Sequence, residues 1–414
     1  MRGPVAELEY VRHFFGLTIV WYERRLSNPW LLSIGQNAYT FRRQQAFDAR
    51  DKVFGLAGIS GGCHLILCRV RISDSPLAEL SYKTIPYSLA VDYNKTVQTV
   101  FTEAALFHHA VSDGLQSLSS VGNRKLNKVA DLPSWVPDLT KDDAKTEILA
   151  ANREFCTASH LKPAFEPSPN DPKCLNLFLA YVDRIDAVCD PCWERNDRNG
   201  LSKFYHLLLS PTPPKVASAD ELSNMLSSIL TGGHHDPGFE GWLFAQTASA
   251  LASTNSPLVK EFLESPETNL PKVMEALGVP TGYKPLSHIL LRGHSDYDPS
   301  NGVEIHPDGL RRTYENPGAN DKQRIVFQTR RGVVGKERCL FRTKRGYLGL
   351  GSETAQPGDS LYIVQGARVP YIFRPCHGEE GNYMELEGEA YVHRIMHGEA
   401  FKTGSIEFQL ISIR

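Results

Sequence analysis

The sequence predicts an α+β protein, with a mainly helical N-terminal two-thirds and a C-terminal antiparallel β meander or small barrel. Three observations carry that reading. Apolar residues recur at helical spacing early in the chain, at Leu8, Val11, Phe15, Ile19, Tyr22 and Leu26, and again at Val97, Val100, Phe101, Ala104, Phe107 and Val111. Toward the C-terminus the pattern changes to short apolar, aromatic-rich runs bounded by Gly and Pro, such as Leu361-Tyr362-Ile363-Val364 and Tyr371-Ile372-Phe373, which is the strand signature. Finally, residues 383–392 alternate. Met384, Leu386, Ala390 and Val392 share one face, and Glu385, Glu387, Glu389 and Tyr391 the other, so one face is expected dry and one wet.

Taken in order, residues 5–26 read as a helix ended by Asn28-Pro29-Trp30, 36–47 as a second, and 51–59 as an apolar, compact stretch. Gly55, Gly58, Gly61 and Gly62 lack the Lys-Ser/Thr pair of a P-loop and read as a tight turn. Residues 92–112 are the best helix, with Asn94 as its cap. His108-His109 on that helix point about 100° apart, so they cannot share a metal face. Trp135, inside Pro133-Ser134-Trp135-Val136-Pro137, is expected to plug a core. Residues 154–172 are loop-like, and 175–188 read as one or two strands. Cys189-Asp190-Pro191-Cys192 has redox or zinc spacing but no second pair to complete a site. After the Pro-rich linker 211–215, helices are expected over 220–230, 241–253, 257–265 and 271–277, with His234-His235 in a solvated turn between the first two. Residues 292–320 are rich in Gly, Pro, Asp and Asn and predict a long loop or lid. Nine Lys or Arg residues against one acid between Lys322 and Arg345 read as a solvated strand face, with anion binding as the minority reading. The β module is expected over 325–413, where Pro357-Gly358 suits the centre of a type II turn. Three regions follow: 1–145, 146–320 and 321–414.

The composition is that of an ordinary soluble protein. Of 414 residues, 41% are hydrophobic and 22% charged, and the net charge of −2 offers no electrostatic reason to expect nucleic acid. Eight scattered cysteines and the absence of a signal-peptide pattern predict reduced thiols and a cytoplasmic location. The longest apolar run, 14–22, is too short to span a bilayer.

Four stretches resemble, in order, segments of fungal heterokaryon-incompatibility (HET) domain proteins. They are Asp48-Ala49-Arg50-Asp51-Lys52-Val53-Phe54-Gly55-Leu56, Val91-Asp92-Tyr93-Asn94-Lys95-Thr96-Val97, Leu132-Pro133-Ser134-Trp135-Val136-Pro137-Asp138, and the C-terminal stretch from Gly346-Tyr347-Leu348-Gly349-Leu350-Gly351 to Gly388-Glu389-Ala390-Tyr391-Val392-His393-Arg394-Ile395-Met396-His397-Gly398. Ala49 stands where the family usually has Pro. The resemblance covers the tail of the HET domain and its C-terminal companion region; the family's two N-terminal blocks have no counterpart here. It implies an incompatibility or cell-death role.

No nucleophile elbow, zincin motif or dinucleotide fingerprint is present. The remaining constellation is His393, Arg394 and His397, with Tyr391 and Glu399 nearby. On an extended segment Tyr391 and His393 share a face, whereas His393 and His397 align only if a helical turn begins there. Structural capping of strand ends is the competing role for these groups. Three functions remain open: a death effector, a non-enzymatic interaction module, or an enzyme working in a chamber between the helices and the β module. The enzyme reading expects no cofactor and no metal, and a cyclase (a pericyclase such as a Diels-Alderase) or isomerase acting on a hydrophobic small molecule of fungal secondary metabolism. Such reactions are accelerated by holding one reactive conformer beside a few donors. His393, Arg394 and His397 are its candidate catalytic groups. Tyr391, Tyr347 and Trp242 are its candidate substrate contacts, Trp242 lying in Trp242-Leu243-Phe244-Ala245-Gln246-Thr247 where the family usually carries a more polar Arg-Thr-Leu-like segment.

Overall fold

In a computed structural model, the residues described are 45–57, 91–111, 115–141, 148–168, 171–190, 198–210, 214, 216–252, 258–277, 283–295, 303–306, 309–312, 319–378, 381–402 and 406–414. The helix expected over 5–26 lies outside them, as do most of the one over 36–47, most of the linker 211–215, and the glycines at 58, 61 and 62. Among the described residues, a helical N-terminal part precedes a C-terminal sheet, and the fold is α+β.

Ten helices are described. They are α1 (Asp51–Ala57), α2 (Val97–Val111), α3 (Gln116–Ser119), α4 (Arg198–Leu209), α5 (Ala219–Leu230), α6 (Phe239–Ala252), α7 (Leu258–Glu264), α8 (Pro266–Ala276), α9 (Lys284–Ser295) and α10 (Ala319–Val334). The cap of α2 is Thr96, whose Oγ1 accepts from the Thr99 N–H at 3.2 Å, and not Asn94, whose own N–H turns back to Asp92. Its stripe behaves as expected, with Val100, Phe101, Ala104 and Phe107 all buried. Ser218 caps α5 by accepting from Glu221 N, while the Glu221 carboxylate accepts from Ala217 N at 2.6 Å. This reciprocal arrangement is what Ser-x-x-Glu ahead of an apolar run provides. Helix α6 is apolar nearly all round and is buried, as such helices must be.

Two expectations are corrected. Residues 325–334 are helix α10, not strand, so the C-terminal run of strands begins at residue 338. The reason is visible in the packing: Phe327, Arg331 and Val334 fall at i, i+4 and i+7 and are all buried. The stretch 292–320 is also no featureless loop. It holds the end of α9, a hairpin of β3 (Val303–His306) with β4 (Gly309–Arg312), and the start of α10.

The remaining strands are β1 (Phe165–Pro167), β2 (Leu175–Cys189), β5 (Arg338–Thr343), β6 (Leu348–Ser352), β7 (Ser360–Val364), β8 (Tyr371–Gly378), β9 (Gly381–Glu389), β10 (Tyr391–Val392) and β11 (Gln409–Ile413). Strand β2 organises them. Its first part pairs with β11, its middle with β7, and its last part with β5. Because β11 continues to β9, then β8 and β7, and β7 returns to β2, these five strands close a small barrel. Register shifts at 181/183 and 185/187 let the long strand bend from one partner to the next. Strands β5, β6 and β10 continue the sheet beyond it.

At β7 both faces of this sheet are covered. On β7, Leu361 and Ile363 enter one apolar cluster, while Tyr362 and Val364 enter the other. That is why the expected dry-and-wet alternation of β9 fails. Leu386 and Val392 are buried as expected, yet Glu387 and Glu389 are also buried, and Met384 is only partly so. The two carboxylates survive burial because arginines meet them: Arg374 reaches Glu387 at 2.9 Å and Arg338 reaches Glu389 at 2.7 Å. Burial still pushes the Glu387 carboxyl above its usual range. Trp135 plugs the core as expected, fully buried, with its indole N–H on the Lys173 carbonyl at 2.9 Å.

Candidate functional site

The site grows from the glycine-rich strand β6. A Cβ on Gly349 would lie 2.4 Å from the Tyr391 carbonyl oxygen and 2.5 Å from the Phe341 ring. Only glycine lets β10 approach this closely, through Tyr391↔Leu350 and Val392↔Gly349. The His393 N–H then donates to the Leu348 carbonyl at 3.2 Å, and the chain turns, with Ile395 N bonded to the Val392 carbonyl. Arg394 takes the left-handed conformation, φ 69°, which a side chain rarely adopts and which buried Ile395 and Met396 hold in place. His393 and Arg394 are thereby presented outward, toward α5.

They open onto a pocket of about 360 Å³ between the helices and the β module. Its apolar wall comes from Leu208 at the end of α4, Pro214 and Val216 beyond it, Met225 on α5, and Leu348. Its polar rim is Arg342, Arg345, Tyr347, His393 and Arg394. The Tyr283 hydroxyl donates to the Pro214 carbonyl at 2.9 Å and fixes that wall.

Three of the six residues singled out from the sequence meet here: His393, Arg394 and Tyr347. The other three do not line this pocket. The strand ends at Val392 and His393 already belongs to the turn, so Tyr391 reaches Ser228 on α5 while Arg394 reaches Glu221, seven residues earlier on that helix. Tyr391 is buried, and that burial pushes its phenol up to about 12. His397 points away from the pocket and is exposed; its ring lies against Phe155 and its Nδ1 is 3.2 Å from the Glu154 carbonyl. Trp242 is buried deep in the helical part, packed on Phe327 with the Arg331 guanidinium 4.8 Å over its ring. Sequence reasoning missed Arg342 and Arg345 as rim residues. Both belong to the basic run ending at Arg345, whose minority reading was anion binding.

Within the rim, burial and the neighbouring Arg394 hold the His393 imidazole below its ordinary range, so it is neutral at pH 7. Neutral imidazole can both accept and donate a proton at this site. Arg394 pairs with Glu221, whose carboxyl is held low by the Ala217 N–H and by that arginine. Arg342 is a buried strut, donating to the Leu207 carbonyl at 2.8 Å and to Asp186 at 3.0 Å.

No cluster of three or more His, Cys, Asp or Glu suited to a metal occurs among the described residues. His108 and His109 are buried in the core, His109 on Ser117 Oγ at 2.6 Å, while His234 and His235 are exposed in their turn. Cys189 is buried, and Cys192 lies outside the described residues. Among the described residues no helix is long and apolar enough to cross a membrane.

Comparison with known proteins finds a match to the C-terminal strands. Residues 327–411, from within α10 to β11, match the family described as the Het-6 beta-barrel domain. The chain's C-terminal strands are thus similar to that domain. The chain is also 42% identical over 60 residues to heterokaryon incompatibility protein 6, OR allele, of Neurospora crassa, a match covering 14% of this chain and 9% of that protein. The chain thus spans under a tenth of the length of that curated relative. No solved structure matches it. The resemblance to heterokaryon-incompatibility proteins read from the sequence is borne out by both matches. Within the matched region, β5, the Gly346-Tyr347 turn, β6 and the His393–Arg394 turn supply the polar side of the pocket, while the apolar wall comes largely from residues 208–225 outside it.

Proposed function

We propose that this HET-related chain is a cofactor-independent cyclase or isomerase, acting in the cytoplasm on a hydrophobic intermediate of fungal secondary metabolism. The observation that supports this best is the pocket: about 360 Å³, walled by leucine, valine, methionine and proline, with a neutral half-buried histidine and arginines at its lip. That volume falls at the small end of the ~300–1,000 Å³ typical of small-molecule sites. In a pericyclic closure, σ bonds form at the expense of π bonds within one molecule, and nothing enters or leaves. The chain's part is then to hold one folded conformer against the apolar wall, while Arg394 or His393 donates to a carbonyl and draws electron density from the reacting diene or alkene. The partner is a small molecule; a net charge of −2 favours no nucleic acid.

A second reading is favoured by one observation, the printed name of the Neurospora relative: a role in heterokaryon incompatibility or as a non-enzymatic interaction module. Deletion of the gene in its host, with metabolite profiling beside a fusion-compatibility assay, separates the two. The enzyme reading expects an accumulated precursor that the purified protein converts without additives, and that His393→Ala converts at least tenfold more slowly. Unchanged metabolites with altered compatibility would return the chain to the second reading.

A further inference from the structure

Charge around the pocket cancels at every rim residue but one. Arg342 faces Asp186, and Arg394 faces Glu221. His393 is held neutral by burial and by Arg394. Arg345 differs. Its main-chain N–H donates to the Asp183 carboxylate at 2.7 Å, but its guanidinium meets only the Val182 carbonyl, at 3.3 Å, with no carboxylate in ion-pair range among the described residues. No acidic residue lines the pocket. The group is exposed, and an exposed arginine is ordinarily satisfied by water. Here, however, it stands at the lip of an apolar wall, so a ligand that buries a hydrocarbon body places its polar end beside this one uncompensated cation.

We infer that the pocket takes an amphiphile bearing a single carboxylate, its acid on the Arg345 guanidinium and its apolar body on Leu208, Val216, Met225 and Leu348. The inference rests on the reading of this pocket as a small-molecule site and names the class of molecule. One uncompensated positive charge matches one negative charge, and the planar guanidinium fork fits the two oxygens of a carboxylate. A phosphate monoester would bring a second charge with no partner at the rim.

Calorimetric titration of the full chain at pH 7 with decanoate, decanol and decyl phosphate tests this. Decanoate is expected to bind about tenfold tighter than decanol, the worth of one charge-assisted contact at a partly wet rim. Arg345→Gln is expected to bring decanoate to the affinity of decanol and to leave decanol unchanged, which also shows that the variant is folded. Lys344→Gln removes an exposed neighbouring charge that does not line the pocket, and is expected to change neither. If decanol binds the unaltered protein as well as decanoate, the pocket selects no acid and the inference falls, while the proposed small-molecule site stands. Preference for decyl phosphate, or an equal loss in Lys344→Gln, overturns it as well. If none of the three binds, the small-molecule reading of the pocket falls with it.

Discussion

Replacing Glu389 by alanine is expected to be among the most damaging single changes in the barrel. The side chain is almost fully buried and accepts from three donors: Arg338 Nη2 at 2.7 Å, Leu149 N at 2.7 Å and Ala150 N at 3.1 Å. Arg338, equally buried, also donates to the Val334 carbonyl at 2.6 Å. One carboxylate therefore joins β9 to β5, to the end of α10 and to the short turn at Leu149–Ala151. Truncation strands a buried guanidinium, which costs about 3–5 kcal/mol, and leaves two buried amides without an acceptor, at about 1–3 kcal/mol more. The penalties overlap, so the expected loss is about 4–6 kcal/mol, against a total stability of about 5–15 kcal/mol. Glu389→Gln keeps an acceptor oxygen for the amides and loses only the charge, so it should fall nearer 3 kcal/mol, roughly the ion-pair penalty alone. Urea unfolding followed by tryptophan fluorescence and by circular dichroism measures both, provided the denaturant slope is unchanged. A loss below about 1 kcal/mol for the alanine variant would mean that the pair is not desolvated, and the reasoning fails.

Three further outcomes follow from the packing. Gly349→Ala forces a methyl group against the Tyr391 carbonyl and the Phe341 ring; it should cost about 1–3 kcal/mol in a melting experiment and weaken any ligand binding at His393 by displacing β10. Trp135→Ala should cost about 3–5 kcal/mol by urea titration, and Trp135→Phe much less, since it loses chiefly the bond to the Lys173 carbonyl. Burial depresses His108 to about 4 and His109 to about 3, with His108 adding to the effect on His109. Between pH 6.5 and 5 the unfolded chain binds these protons first, so stability should fall as pH falls, by up to about 1.4 kcal/mol per pH unit for each histidine. His109→Gln should roughly halve that slope, and a flat stability profile over this window would show that the rings are hydrated.

The C-terminal strands were legible because Gly and Pro punctuate them and their registers are local. The same glycines carried more meaning than turn formation: Gly349 and Gly351 sit where Phe341, Ile372 and the β10 backbone leave no space for a side chain. What sequence reasoning could not supply was anything set by a distant partner. Nothing local says that 175–189 is the strand on which the barrel closes, or that Glu387 and Glu389 meet arginines on β8 and β5. Helix α10 was hidden by its basic residues, although Phe327, Arg331 and Val334 already stood at helical spacing. The site was half legible. The motif carries His393, Arg394 and Tyr347 into one pocket, whereas Trp242 stands out as an aromatic residue where the resembled family is usually more polar, and large aromatics are most often buried for packing alone.

Strand β2 has a consequence for how the molecule is made. Ser412 on β11 hydrogen-bonds Asn176 on β2 across 236 residues of chain. Strand β11 is synthesised after the other described strands and pairs with one that left the ribosome far earlier. At about 5–20 residues per second, β2 waits roughly 10–50 s for β11, with only the short β1 made before it to pair with. Closing so long a loop is also slow. Nascent chains should therefore depend on chaperones that shield an open strand until β11 emerges, and removal of Gln409–Ile413 should yield aggregate rather than a smaller barrel.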